Sequence, residues 1–189
     1  MHFLLSKGSL YKVYNNNLLY HGCVPLNEDG TLKEVTLFGK KFKGKSLYDA
    51  LERYVRKGFF AVDKEDWENG KDIMWYIWLS ENSPLFGKDK MATFERYFLA
   101  EKETHKEKKN PYYLLLEDEK VICHILKEFG LENEDAHIIN GHVPVKIKDG
   151  ESPVKGEGKL LIIDGGISKA YQKQTGIAGY TFIFNSRFM

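Results

Sequence analysis

Two histidines of this 189-residue chain stand where an apolar run gives way to a glycine-flanked loop, Leu18-Leu19-Tyr20-His21-Gly22 and Ile138-Ile139-Asn140-Gly141-His142-Val143-Pro144. A strand fixes the backbone up to its end, and a glycine lets the following residues turn tightly, so an imidazole placed there can be held as a metal ligand. A lone histidine at a strand end serves equally well as a hydrogen-bonded structural residue; it is the shared pattern of His21 and His142 that raises the ligand reading. Asp164 closes the apolar run Lys159-Leu160-Leu161-Ile162-Ile163 at Asp-Gly-Gly and reads as a hydrogen-bond acceptor supporting such a site. Asp149, before Gly150, reads as a turn residue. His105, His124 and His137 show no ligand spacing, and the neighbours Cys123 and His124 would point apart on a helix, which disfavours a Cys-His nucleophilic pair.

The elements that must position these residues follow from periodicity. Leu10–Tyr14 and Leu18–Tyr20, joined by Asn15-Asn16-Asn17, predict a hairpin. Residues 27–45 read as a Lys-heavy loop. Ser46, taken as an N-cap, opens a predicted helix over 47–57. A second helix is predicted over 64–79, with Trp67, Ile73, Met74, Ile77 and Trp78 as its buried face and an end before Ser83-Pro84. Further helices are expected over 90–100 and 117–129, the latter capped by Gly130. The alternating charges from Glu101 to Lys109 read as a solvated surface segment. Strands are expected at 136–139, 159–163 and 179–184. The expected fold is α/β, a sheet core interrupted by a mostly helical insertion at about 40–120 within one domain spanning 1–189.

Composition narrows the function classes. With 28 Lys+Arg against 27 Asp+Glu the formal charge is +1, so neither nucleic-acid nor anionic-membrane binding is expected, since both draw on net positive charge. The apolar runs fall far short of the roughly 20 residues that span a bilayer, and no secretory signal is read at the N-terminus. Cys23 and Cys123 read as free thiols, in keeping with a cytoplasmic setting.

Longer strings are more specific. Tyr11–Gly30, Ser83–Lys88, Thr93–Phe98, Ala136–Val145, Asp164–Gln172 and Thr175–Tyr180 together resemble bacterial class III fructose-1,6-bisphosphatase, a calcineurin-like metallophosphoesterase. The resemblance runs through nearly the whole chain. It implies a layered metallophosphoesterase sheet core and manganese-dependent hydrolysis of fructose 1,6-bisphosphate to fructose 6-phosphate in gluconeogenesis. It also implies a dinuclear metal centre to which His21 and His142 each contribute. Such a centre would activate water and neutralise phosphoryl oxygens during in-line attack. For the substrate phosphates, Lys88, Lys90 and Arg96 are the candidates inside matching strings. The cluster Lys40, Lys41, Lys43 and Lys45 reads as a solubilising loop.

The superfamily's Asp-x-His, Gly-Asp-x-x-Asp and Gly-Asn-His motifs are expected upstream of the matching region. The chain is therefore read as a C-terminal portion of the enzyme, carrying only part of the site and inactive alone. An upstream half is expected to complete it. Competing readings are a metallophosphoesterase of another substrate class, such as a phosphoprotein phosphatase, and an incomplete protein with an interaction role. Apolar surface left facing a missing partner, or self-association into a homo-oligomer, is the expected consequence.

Overall fold

The computed structural model describes residues 1–183, the side chains of Phe94, Ala170 and Tyr171 aside. In chain order it comprises α1 (His2–Lys7), β1 (Tyr11–Tyr14), β2 (Asn17–Tyr20), β3 (Val35–Leu37), β4 (Lys40–Phe42), α2 (Gly44–Phe59), α3 (Lys64–Leu79), α4 (Ala92–Phe98), α5 (Glu119–Glu128), β5 (His137–Asn140), β6 (Val154–Lys155), β7 (Leu160–Ile162) and α6 (Lys169–Thr175). Single-turn 3-10 helices lie among them. The fold is mixed α/β.

The main sheet has the order β1-β2-β5-β7-β6. Its three central strands run parallel, and antiparallel β1 and β6 flank them. Asn15 and Asn16 both adopt positive φ (48° and 58°), the backbone of a two-residue turn whose twist matches a hairpin's, and this sets the register Tyr11↔Tyr20. Alternation then sends Leu18, Tyr20, Ile138, Leu160 and Ile162 to one face, where they are buried against Ile122, Ile125 and Leu126 of α5 and Tyr48 of α2. The opposite face is less covered. Leu19 and Ile163 there are exposed, and a groove of about 1100 Å³ runs past them to the strand ends.

Residues 21–136, between β2 and β5, hold α2 to α5 and one hairpin. Asp118 caps α5 by accepting from the amides of Lys120 (2.9 Å) and Val121 (3.4 Å), and at the helix's other end Glu128 accepts from the Lys45 amide (3.1 Å), tying α5 to the start of α2. A second core joins α2, α3 and β3/β4 through Leu47, Leu51, Val55, Ile73 and Ile77.

Several expectations are corrected. Residues 27–45 contain β3 and β4, turned by Phe38 and Gly39 at φ 47° and 76°; phenylalanine is no turn former, so Gly39 alone marks the turn in the sequence. Ser46 lies inside the first turn of α2, where its hydroxyl accepts from the Lys43 amide (3.0 Å). α3 spans the predicted residues, but Trp67, Met74 and Trp78 are exposed and only Gly70, Ile73 and Ile77 are buried. The cause is the helix crossing: a Cβ on Gly58 would stand 2.4 Å from the Gly70 Cα, so the helices meet along the narrow stripe through residue 70 and the indoles fall to either side. Of the strand expected over 179–184, the described residues 179–183 form one bridge, Asp164↔Gly179, beside which the Tyr180 amide donates to the Ile163 carbonyl (2.9 Å). Phe184 and Asn185–Met189 lie outside the described residues.

Candidate functional site

Parallel strands deliver their carboxyl ends to one edge of a sheet, and loops leaving that edge converge. Here β2 delivers His21, β5 delivers Gly141 and His142, and β7 delivers Asp164. The two imidazoles, 121 residues apart in sequence, meet with His21 Nε2 3.0 Å from His142 Nδ1. His142 Nε2 lies 3.0 Å from the Phe86 carbonyl oxygen. A carbonyl can only accept, so His142 Nε2 carries the proton and its Nδ1 keeps a lone pair; His21 Nε2–H therefore donates to it. His142 itself has φ 67° and the Val143 amide donates to the Gly141 oxygen (2.8 Å), a γ-turn of the rare left-handed kind. Such backbone persists only where its surroundings over-determine it.

Those surroundings are specific. The Gly141 amide donates to the His21 carbonyl (3.0 Å), and Asn140 Nδ2 donates to the Gly22 carbonyl (2.9 Å) and to the Tyr112 hydroxyl (2.8 Å). Tyr112 and Tyr20 share a hydroxyl hydrogen bond of 2.7 Å beneath. From the other side the Cys23 amide donates to the Pro84 carbonyl (3.0 Å), seating the loop whose Phe86 orients His142. Asn140 and Phe86 are thus positioning residues. Sequence reasoning passed them over: Asn140 sat unremarked between strand and Gly-His, and a carbonyl acceptor carries no side-chain signal.

Burial pushes the His142 imidazolium down to about 4, helped by the charges of His21 and Lys88 and opposed by the Phe86 hydrogen bond and Asp164. Burial likewise lowers His21, against Asp164. Both rings are thereby neutral at neutral pH.

Of the other residues expected at the site, Asp164 acts on both rings electrostatically while its Oδ1 accepts from the Gly166 amide (2.7 Å) and its carbonyl from the Val145 amide (2.8 Å). Lys88 lies close enough for its charge to reach His142, and forms an ion pair with Glu107 at 2.9 Å. Arg96 is in the last turn of α4, where its charge bears on Glu107, and no contact brings Lys90 or Arg96 to the histidine pair. One Asp-x-His string does occur, Asp135-Ala136-His137, contrary to the expectation that such motifs lie upstream. It enters β5 at the end away from His142, so strand direction separates it from the site.

The model for Firmicute fructose-1,6-bisphosphatase matches residues 1–189. The chain belongs to that family. Relatives named fructose-1,6-bisphosphatase class 3 include one from Clostridium botulinum (strain Langeland), 63% identical over 185 residues, and one from Clostridioides difficile (strain 630), 61% identical over 186. These alignments cover 97% and 98% of the chain and 28% of each relative, so the chain spans somewhat over a quarter of their length. No solved structure matches.

The donor set fits part of a metal centre. Two imidazoles converging on one point are donors that would suit a metal ion, once the His21 Nε2 proton has moved to its other ring nitrogen. His142 shows the pairing usual in ligating histidines, one nitrogen facing the site and the other donating to a carbonyl. Among the described residues no group of three or more His, Cys, Asp or Glu is arranged around an ion. No helix among them is long and apolar enough to cross a membrane.

Proposed function

We propose that this chain supplies the histidine side of the metal centre of a fructose-1,6-bisphosphatase, as a C-terminal portion completed by a further part of the enzyme in the cytoplasm. The observation that carries the reading is the His21–His142 pair, drawn to one sheet edge with the tautomer of His142 set by Phe86. His142 Nδ1 and His21 would hold the ion, manganese by the donor types, and Asp164 would steady the imidazoles by its charge. When bound, the metal supplies Lewis acidity and an activated water. What the chain's own residues contribute is position. Asn140 and the Gly141 amide lock the two histidine loops together, the γ-turn aims His142, and Lys88 offers positive charge beside them to a phosphate.

Two imidazoles leave most ligand positions to be filled from elsewhere, so the chain alone should bind Mn²⁺ weakly and release no phosphate from fructose 1,6-bisphosphate. Titration calorimetry with Mn²⁺ and a phosphate-release assay test this, first on the chain and then on the chain co-produced with the remaining region of a class 3 relative. Weak binding abolished by His21→Ala with His142→Ala, and turnover only in the co-produced form, are expected. Strong metal-dependent turnover by the chain alone overturns the partial-site reading; turnover of a phosphopeptide in preference to the sugar overturns the substrate.

A further inference from the structure

Three lysines on the loops around the histidine pair lie close enough for their charges to interact: Lys88, whose charge also reaches His142, and the exposed Lys109 and Lys146. Residues 87–89 and 108–110 form a short antiparallel ladder, with the Asp89 amide donating to the Lys108 carbonyl (3.0 Å) and the Asn110 amide to the Gly87 carbonyl (2.9 Å). Those bonds flank the pair Lys88↔Lys109, making it the non-hydrogen-bonded kind in which opposing side chains stand closest, with Cβ atoms about 4.5–5.5 Å apart on one face. Like charges so placed repel. Lys146 joins them from the His142 loop, its backbone anchored through the neighbouring Val145 amide on the Asp164 carbonyl (2.8 Å) and its own amide on Glu151 (2.9 Å).

The acids nearby are already engaged. Glu107 accepts from Lys88 (2.9 Å) and from the Ala92 amide (3.1 Å); Glu151 accepts from the Lys146 amide and faces Lys155 at 3.6 Å. Among the described residues neither Lys109 nor Lys146 has an ion-pair partner. Partial burial, and after it the charges of Lys88 and Lys146, hold the Lys109 ammonium below its ordinary range, against the opposing pull of Glu151 and Glu107. A fold that zips two lysines face to face, holds a third within reach of their charge, and pairs Glu107 with Lys88 and Glu151 with Lys155 leaves Lys109 and Lys146 as positive charge that an anion can balance.

We propose that Lys88, Lys109 and Lys146 form an anion pocket beside the histidine pair that takes the phosphoryl group of a sugar bisphosphate that is not cleaved. This rests on the phosphatase reading above. It joins Lys109, in the charged run 101–109, to the site, because the ladder fastens that run to the Phe86–Lys88 loop. Ammonium groups suit a phosphate, since each adds charge-assisted hydrogen bonds to it and their mutual repulsion is relieved when it binds.

The test is calorimetric binding of fructose 1,6-bisphosphate and of inorganic phosphate to the metal-free chain at low and high salt. Lys109→Met and Lys146→Met should each weaken binding about tenfold, as loss of a charged hydrogen bond does, while Lys109→Arg stays within about threefold of wild type. Lys40→Met is the surface control, and circular dichroism melts verify that each variant folds. Wild-type affinity in both methionine variants overturns the pocket, as does absence of wild-type binding. Lysine-dependent binding in a chain whose histidines prove irrelevant to Mn²⁺ instead upholds the pocket and overturns the metal reading.

Discussion

Gly22 separates the two loops that set the histidine pair, and Gly22→Ala puts a methyl into a space that does not exist. The new Cβ would stand 2.6 Å from the Pro84 carbonyl oxygen and 3.3 Å from the Tyr113 hydroxyl. Contacts below 3.0 Å force something to move, and the obstacle is backbone, so the His21 loop and the Ser83–Lys88 loop must part by about half an ångström or more. The Cys23 amide spans that seam to the Pro84 carbonyl (3.0 Å) and its thiol reaches the Ser83 carbonyl (3.5 Å), while Asn140 Nδ2 holds the Gly22 carbonyl (2.9 Å) from the sheet side. Overpacking costs about 1–3 kcal/mol and each weakened hydrogen bond about 0.5–1.5 kcal/mol, against a gain below about 1 kcal/mol from reduced unfolded-state freedom. A net loss of about 2–3 kcal/mol is expected, read as a lower urea midpoint with an unchanged slope. The Mn²⁺ affinity of the chain should fall as well, because the movement separates His21 from the Phe86 carbonyl that orients His142. Gly39→Ala is the contrast: its φ is 76° but nothing lies within 4 Å of the added methyl, so it carries backbone strain without moving the site. Unchanged stability and metal affinity in Gly22→Ala would refute the packed-seam account.

Two further outcomes are expected. In metal-free protein, His142 is held below its unfolded value, so its stabilising contribution is complete above about pH 6.5 and is lost as pH falls toward 4; at pH 5 the loss is about 1 kcal/mol after discounting for its partial exposure, and His142→Gln should flatten the urea-midpoint profile between about pH 5 and 6.5, a window above the one in which Glu52 and Glu107, both lowered, begin to titrate. Cys123 is exposed while Cys23 is fully buried with its thiol pushed up to about 12, so an aromatic disulfide reagent should titrate one thiol rapidly in the native chain and the second only on unfolding; two fast thiols would contradict the seated Cys23 loop.

Much of this was legible in local pattern. Asparagines that tolerate positive φ marked the first hairpin, Gly130 marked the end of α5, and the strand-Gly-His repeats singled out the two imidazoles, because turn chemistry, caps and side-chain period act over a few residues. Burial on α3 was misread for the complementary reason. Periodicity reports an apolar stripe, but which part of it is covered depends on how near another helix comes, and Gly58 against Gly70 decides that. The identity of the candidate ligands, His21 and His142, was therefore written in the sequence. What only tertiary structure decided was their meeting at 3.0 Å, the Phe86 carbonyl that sets one tautomer, the Asn140 bond that joins their loops, and the ladder that turns Lys109 from a solvated charge into a neighbour of Lys88. Parallel pairing of β2 with β5 brings together residues more than a hundred positions apart, and no spacing along the chain encodes a distance created by strand register.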